Sequence, residues 1–487
     1  MFINIKRKLI VKKEMIIRIG GMGLDVSNRG FVNEIGRNGK KYNTIPTLTG
    51  TGAELVLAYT LENGDPGEHF RRALTNLPKA FRRVGEKIIK TYFVKNGIGR
   101  GAPHKPIPMM DFNPSIELIN LIVCGNFCLG VLGKEEHKNP VSINYLKKID
   151  LHFPYALFGI MLAEIDEVSI GAGLATQVPG ILNSYARGEA VVYHCLVEGI
   201  YGAKTKSIPI TFDPRKHFGL MPDLKRPNFL PIVSNHRVAN IFLQKTTGEI
   251  YAFVAENNLA GGHNSNPFDK KLLDENGETM YGPKDETDYN EMRKLGVPFY
   301  LAGGFASPKK MAEAAEVGAI GVQVGTIGAL ANESNLRDDL KKYARHMGYL
   351  GKLIVIRDRK ASPTGYGFMV AQIPDTLSDK QNLIEDERIC DIGQLRVPYI
   401  RPDGKIIFNC SADNLDIFEH KGGNREMTID KKCLCSGLCN TSDLLQNRKA
   451  IVTLSPELGF LRELMSNPDD SYSIIDALRY LRGLKKY

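Results

Sequence analysis

The chain has 487 residues, 43% of them hydrophobic and 24% charged, with a formal net charge of +10; this is a composition that buries a core and excludes a disordered chain. Its Lys and Arg are scattered, with no basic stripe interleaved with aromatics, which sets nucleic acid aside and leaves a small-molecule substrate and, on the basic surface, an acidic carrier protein. Eight cysteines at this length make no disulfide framework, the opening MFINIKRKLIVKKEM lacks the apolar core of a signal peptide, and no run approaches the ~18 apolar residues of a membrane span, so a cytoplasmic protein is expected.

Residues 1–14 read as a basic, solvated arm, with Met15 an alternative start. Short β-prone runs then follow at 16–19, 45–49, 141–145, 167–170, 230–233, 251–255, 298–301 and 321–324, many of them trailed by helical patterns. Eight parallel βα units close a barrel, so the fold class expected is α/β, a (β/α)8 TIM barrel over residues 15–335. Its spacing is uneven: insertions fall at about 60–135, which includes the apolar run 121–132, and at 189–227, where a hairpin is expected. The stretch 336–487 is too long for one closing helix and is expected to form a C-terminal extension dispensable for cofactor binding.

In such a barrel the functional atoms collect at the C-terminal ends of the strands. There the sequence places Gly20, Gly21, Met22 and Gly23 after the first strand, Asn144 on the third, and Gly171, Ala172 and Gly173 after the fourth. Gly261, Gly262 and His263 follow the sixth, Ala302, Gly303 and Gly304 the seventh, and Gly325 and Thr326 the eighth. A rim without Cβ atoms lets a flat or phosphorylated ligand approach backbone N–H groups. The last two turns, with Ser307 and Pro308 opening a helix between them, have the form of a barrel phosphate site.

These segments resemble the nitronate monooxygenase family of FMN-dependent barrels, formerly called 2-nitropropane dioxygenases. IRIGGMGLDVSN is similar to the family's opening strand and turn, PVSINYL to its third strand, NNLAGGHN to its Gly-Gly-His segment, and VPFYLAGGFASP with GVQVGT to its phosphate end. The likeness covers residues 16–330, and flavin-dependent enoyl reductases of fatty-acid synthesis share the set. It implies FMN, with its phosphate against Ala302, Gly303, Gly304, Gly325 and Thr326, its ring and ribityl chain lined by Gly21, Met22, Asn144 and Gly262, and Gln323 matching a family glutamine. His263 is then the catalytic group, polarising the substrate or taking a proton.

The usual Glu-Ala before Gly-Gly-His is replaced: Asn258, Leu259 and Ala260 follow Glu256 and Asn257. IMP dehydrogenase-like barrels need a cysteine nucleophile in this loop, and it has none. Farther on, KKCLCSGLCNT sets Cys433, Cys435 and Cys439 close together, with Cys410 and His420 upstream. Metal binding, a redox pair and plain packing all fit, and the spacing is poor for zinc, so no metal ligand is assigned. A longer branch of the family carries a similar Lys-Cys-Leu-Cys segment and an ASPTG like that at 361–365. Two enzymatic readings follow, oxidation of a nitronate with O₂ and NAD(P)H-dependent reduction of an enoyl thioester, beside a non-catalytic flavin- or metal-carrying interaction protein.

Overall fold

Eight short strands close on themselves in the computed structural model of the chain, which describes residues 14–269, 274–275, 280–385 and 387–484. They are Ile16–Gly20, Thr44–Thr49, Ser142–Leu146, Glu167–Gly171, Asn228–Val233, Phe253–Glu256, Phe299–Ala302 and Gly321–Val324. Each pairs in parallel with its neighbours in sequence, and the first pairs with the eighth through Ile17 and Val322. The protein is a (β/α)8 barrel. The basic arm at 1–14 lies outside the described residues except for Glu14.

Parallel strands in a barrel are buried on both faces, so side chains alternate between two apolar layers. Phe253 and Ala255 face the outer core beneath the helices, while Ala252, Val254, Tyr300 and Ala302 fill the interior with Leu230. The interior also holds a charge. Arg18, fully buried, pairs with Glu167 and donates to Ser142 Oγ (2.5 Å), Ser169 Oγ (3.1 Å) and Gln323 Oε1 (3.4 Å), its guanidinium lying 5.2 Å from the Tyr300 ring centroid. An unpaired charge would not persist there.

The first insertion forms helices, including Arg82–Tyr92 and Ile116–Gly133. The latter corrects the expectation that no span-length apolar segment exists: by length and composition it could cross a membrane, yet 78% of it is buried inside the protein. It packs between the helices Ala53–Glu62 and Phe153–Leu162. The second insertion is the expected hairpin, Val191–Gly199 with Lys206–Phe212, and the strands Val397–Ile400 and Ile406–Asn409 extend it to a four-stranded sheet.

The chain does not divide at residue 335. The helix Ile474–Leu481 packs against Arg29–Arg37, Pro308–Glu316 and Thr326–Ala329, filling the outer position that follows the eighth strand. Tyr472 Oη donates to the Ile327 carbonyl (2.8 Å), and Arg482 donates to the carbonyls of Met15 (2.7 Å) and Tyr42 (2.9 Å). What reads as an appendage is an excursion between a strand and its helix.

Candidate functional site

A cavity of about 250 Å³ opens at the C-terminal mouth of the barrel. Gly21, Met22, Asn144, Gly262, His263, Ala302, Gly303, Gly304, Gln323, Gly325 and Thr326 all line it. The first turn is fixed by Met22 N–H donating to Ser27 Oγ (3.0 Å) and Thr49 Oγ1 donating to the Met22 carbonyl (2.9 Å). The helix Pro308–Glu316 starts as its sequence predicts, with Ser307 Oγ accepting from Lys310 N–H (3.2 Å).

The glycines differ in purpose. Gly262 has φ +84°, and a Cβ built on it would meet nothing within 4 Å, so its missing side chain leaves the cavity open. Gly303, at φ +90°, is forced by its neighbour: a Cβ would lie 1.9 Å from Asn257 Oδ1. That same Asn257 donates through Nδ2 to the Gly303 carbonyl (2.9 Å) and accepts from Leu259 N–H (2.9 Å), tying the sixth and seventh turns together. The unusual sequence before Gly-Gly-His thus has its own anchor.

His263 stands in a two-residue strand, Gly262–His263, that pairs antiparallel with Phe368–Ala371 of the extension. Its Nε2 lies 2.8 Å from Ser362 Oγ, within the ASPTG segment, and its ring meets Phe368 edge-on at 4.9 Å. Burial, assisted by the nearby Lys148 ammonium, pushes the imidazole down to about 3, so the ring is neutral at physiological pH. Lys148 is itself pushed down to about 7 by burial and by Lys147, and its Nζ sits 3.0 Å from the Tyr366 ring centroid.

The residues fit a flavin. Asn144 Oδ1 and Gln394 Oε1, on cavity-lining residues, are buried without hydrogen-bond partners, a state native proteins avoid unless a ligand or water supplies the donor. Gln323 faces the cavity and also accepts from Arg18, so it joins the rim to the barrel interior. Among the described residues no Lys or Arg lines the cavity, leaving backbone N–H groups and hydroxyls to meet a phosphate. Thr326 Oγ1 is fixed by accepting from Ser455 N–H (2.8 Å), and the exposed Glu457 lies near Lys310.

Sequence reasoning missed the extension's share. Phe368, Gln394, Leu395, Leu434, Cys435, Leu438, Thr453, Ser455 and Glu457 also line the cavity, so the extension is part of the site rather than separable from it. Gly262 N–H donates to Thr453 Oγ1 (2.6 Å). It also passed over Glu256, whose carboxyl lines the cavity. The only sequence signals for these residues were the ASPTG and Lys-Cys-Leu-Cys segments.

The cysteines regroup. Cys433 and Cys435 join Cys390 and Cys410 around a second, smaller cavity that shares Leu395, Leu434 and Cys435 with the first, whereas Cys439 is buried apart and His420 is exposed. Their thiols are free, burial pushes Cys435 well above its ordinary value, and among the described residues no group of three or more His, Cys, Asp or Glu is arranged to hold a metal.

No family model matches the chain, and no curated protein matches it. Among solved structures it is similar to FabK from Thermotoga maritima, at 14% identity over 97% of this chain and 93% of that one, with a TM-score of 0.41. It is also similar to nitroalkane oxidase from Streptomyces ansochromogenes, at 10% identity over 96% of this chain and 94% of that one, with a TM-score of 0.41. The enoyl reductase domain of MlnA from Bacillus amyloliquefaciens has 12% identity over 74% and 64% of the two chains, with a TM-score of 0.35. At these identities the likeness is one of overall fold.

Proposed function

We propose that the protein is a flavin-dependent oxidoreductase that binds FMN in the barrel mouth and acts on a small carbanionic substrate, as nitronate monooxygenases do. The observation that carries this reading is the cavity itself: glycine turns from the first, sixth, seventh and eighth strands converge on one space with a neutral imidazole on its wall. FMN, when bound, supplies two-electron chemistry. The chain supplies orientation. Ser362 holds His263 by Nε2, and the Phe368 edge fixes the ring plane, so the remaining nitrogen is the one available to a substrate. A neutral imidazole there polarises a nitro or carbonyl oxygen if Nδ1 carries the proton, or accepts a proton if it does not.

A second reading is favoured by one feature, the apolar wall of Leu146, Ile149, Phe368, Leu395, Leu434 and Leu438. It suits a substrate with a hydrocarbon chain, as an enoyl thioester has, reduced at the expense of NAD(P)H and delivered by an acidic carrier. The experiment is anaerobic mixing of FMN-loaded protein with NADPH, NADH or an alkyl nitronate while flavin absorbance is followed. Bleaching by the nitronate alone supports the first reading and bleaching by a nicotinamide the second. A protein that binds flavin but is bleached by none of them is the non-catalytic carrier.

A further inference from the structure

Glu256 ends the sixth barrel strand, paired in register with Ala302. Strand alternation puts it on the interior side, one layer above Val254, where its carboxyl reaches the cavity floor. Ala302, its register partner, lines the same cavity, as do Ile232 and Gly171. Among the described residues no hydrogen bond or ion pair engages the Glu256 carboxyl. The buried cation in this barrel, Arg18, is already engaged by Glu167, with Gln323 on the same guanidinium. The titratable groups that share the cavity are Tyr145 and Cys435, both kept protonated by burial, His263, held neutral, and the exposed Glu457; Lys148 lies close enough to His263 to help depress it. None of these compensates an anion on the floor.

We propose that Glu256 is the hydrogen-bond donor of the cavity floor, presenting a carboxylic acid O–H to the ring that binds above it. A half-buried carboxyl at the end of a barrel strand, on a cavity with an apolar wall and no Lys or Arg in its lining, holds its proton, because ionising it would leave a poorly solvated charge without a partner. Burial pushes it up to about 8. The cavity is then built from a neutral donor below and a neutral imidazole on the wall, an arrangement that welcomes a ring or substrate gaining negative charge and disfavours one that begins anionic at the floor. This rests on the flavin reading only for the identity of the ring.

The test is infrared difference spectroscopy of wild type against Glu256→Gln, with and without FMN. At pH 7 the wild type is expected to show the carbonyl band of a protonated carboxyl that Glu256→Gln lacks. That band should shift when FMN is added and should vanish with a midpoint near pH 8. The absorbance of bound FMN should follow the same midpoint in wild type and lose it in Glu256→Gln. Absence of the band at pH 7, or a band that FMN leaves unmoved while binding, overturns the inference. Failure of wild type to bind FMN overturns the flavin reading, and the band of the unloaded protein tells the two failures apart. Should Glu256→Gln fold poorly, the wild-type band and its pH midpoint decide alone.

Discussion

Glu256 and His263 lie in one cavity and are displaced in opposite directions by the same cause, loss of water. The consequences for stability have definite signs. Between the ordinary carboxyl value of 4.5 and about 8, native Glu256 keeps a proton that the unfolded chain releases, so stability falls as pH rises. Between about 3 and the ordinary imidazole value of 6.5, the unfolded chain binds a proton that native His263 refuses, so stability falls as pH drops. From 4.5 to 6.5 the two slopes oppose each other. From 6.5 to 8 His263 no longer opposes Glu256, whose carboxyl is expected to cost up to ~1.4 kcal/mol of stability per pH unit in urea unfolding. The cost is read as the difference in slope from Glu256→Gln, because Lys148, held down to about 7, works the other way in both proteins above pH 7. Glu256→Gln should remove that loss; an unchanged slope would show that the carboxyl is ionised in the native state. His263→Asn is expected to lower kcat/KM by ~10²-fold at unchanged FMN content, at the low end for a positioned group. Equal activity per bound FMN would remove the imidazole from the reaction.

At the scale of elements, the two-residue strand Gly262–His263 is far too short to hold itself, and three contacts from the extension hold it: the pairing with Phe368–Ala371, Ser362 on Nε2 and Thr453 on the Gly262 amide. Ser362→Ala removes one hydrogen bond of ~1 kcal/mol, so roughly a fivefold fall in kcat/KM is expected without loss of flavin. Gly303→Val is expected to lose FMN for a reason other than blocking the phosphate: the new Cβ would strike Asn257 and break the tie between two turns. Flavin content after reconstitution checks this, and normal retention would show that the turn can yield.

The same elements explain what the sequence made legible. Barrel strands announce themselves because they are short, apolar and end in glycine, and each expected strand lies within two residues of an observed one. The glycine rim was legible because a missing Cβ leaves a visible residue type. Ser362, Thr453 and Glu457 were not, since an ordinary polar residue in a long irregular stretch carries no periodicity and its meaning comes from a partner 99 or more positions away. Arg18 and Glu167 were hidden likewise: each sits in a run that reads as strand, and only barrel closure brings them together.

For the whole molecule, the extension and the barrel share one core, since Leu454, Leu458, Phe460 and Leu478 are buried in the same apolar cluster as Ile17 and Val322. A chain ending after residue 335 would lack four of the six residues of the cavity's apolar wall and expose the faces of Arg29–Arg37, Pro308–Glu316 and Thr326–Ala329 that Ile474–Leu481 covers. It is expected to be insoluble or molten rather than a small flavin-binding barrel. A cooperative melting transition and bound FMN in that fragment would show that the extension is an accessory after all.

The return of Ile474–Leu481 to the barrel also sets an order of events during synthesis. The eighth strand leaves the ribosome about 150 residues before the helix that packs on the helices flanking it. Contacts this distant in sequence form late and slow folding. The nascent barrel must therefore persist with one flank uncovered while the extension is made, a state prone to aggregation. Arg482 then bridges to the carbonyls of Met15 and Tyr42, fastening the late helix to the segments that lead into the first two barrel strands. Full burial of the core is thus available only to a chain translated through this helix, so an interrupted product carries its own mark for chaperones and proteases.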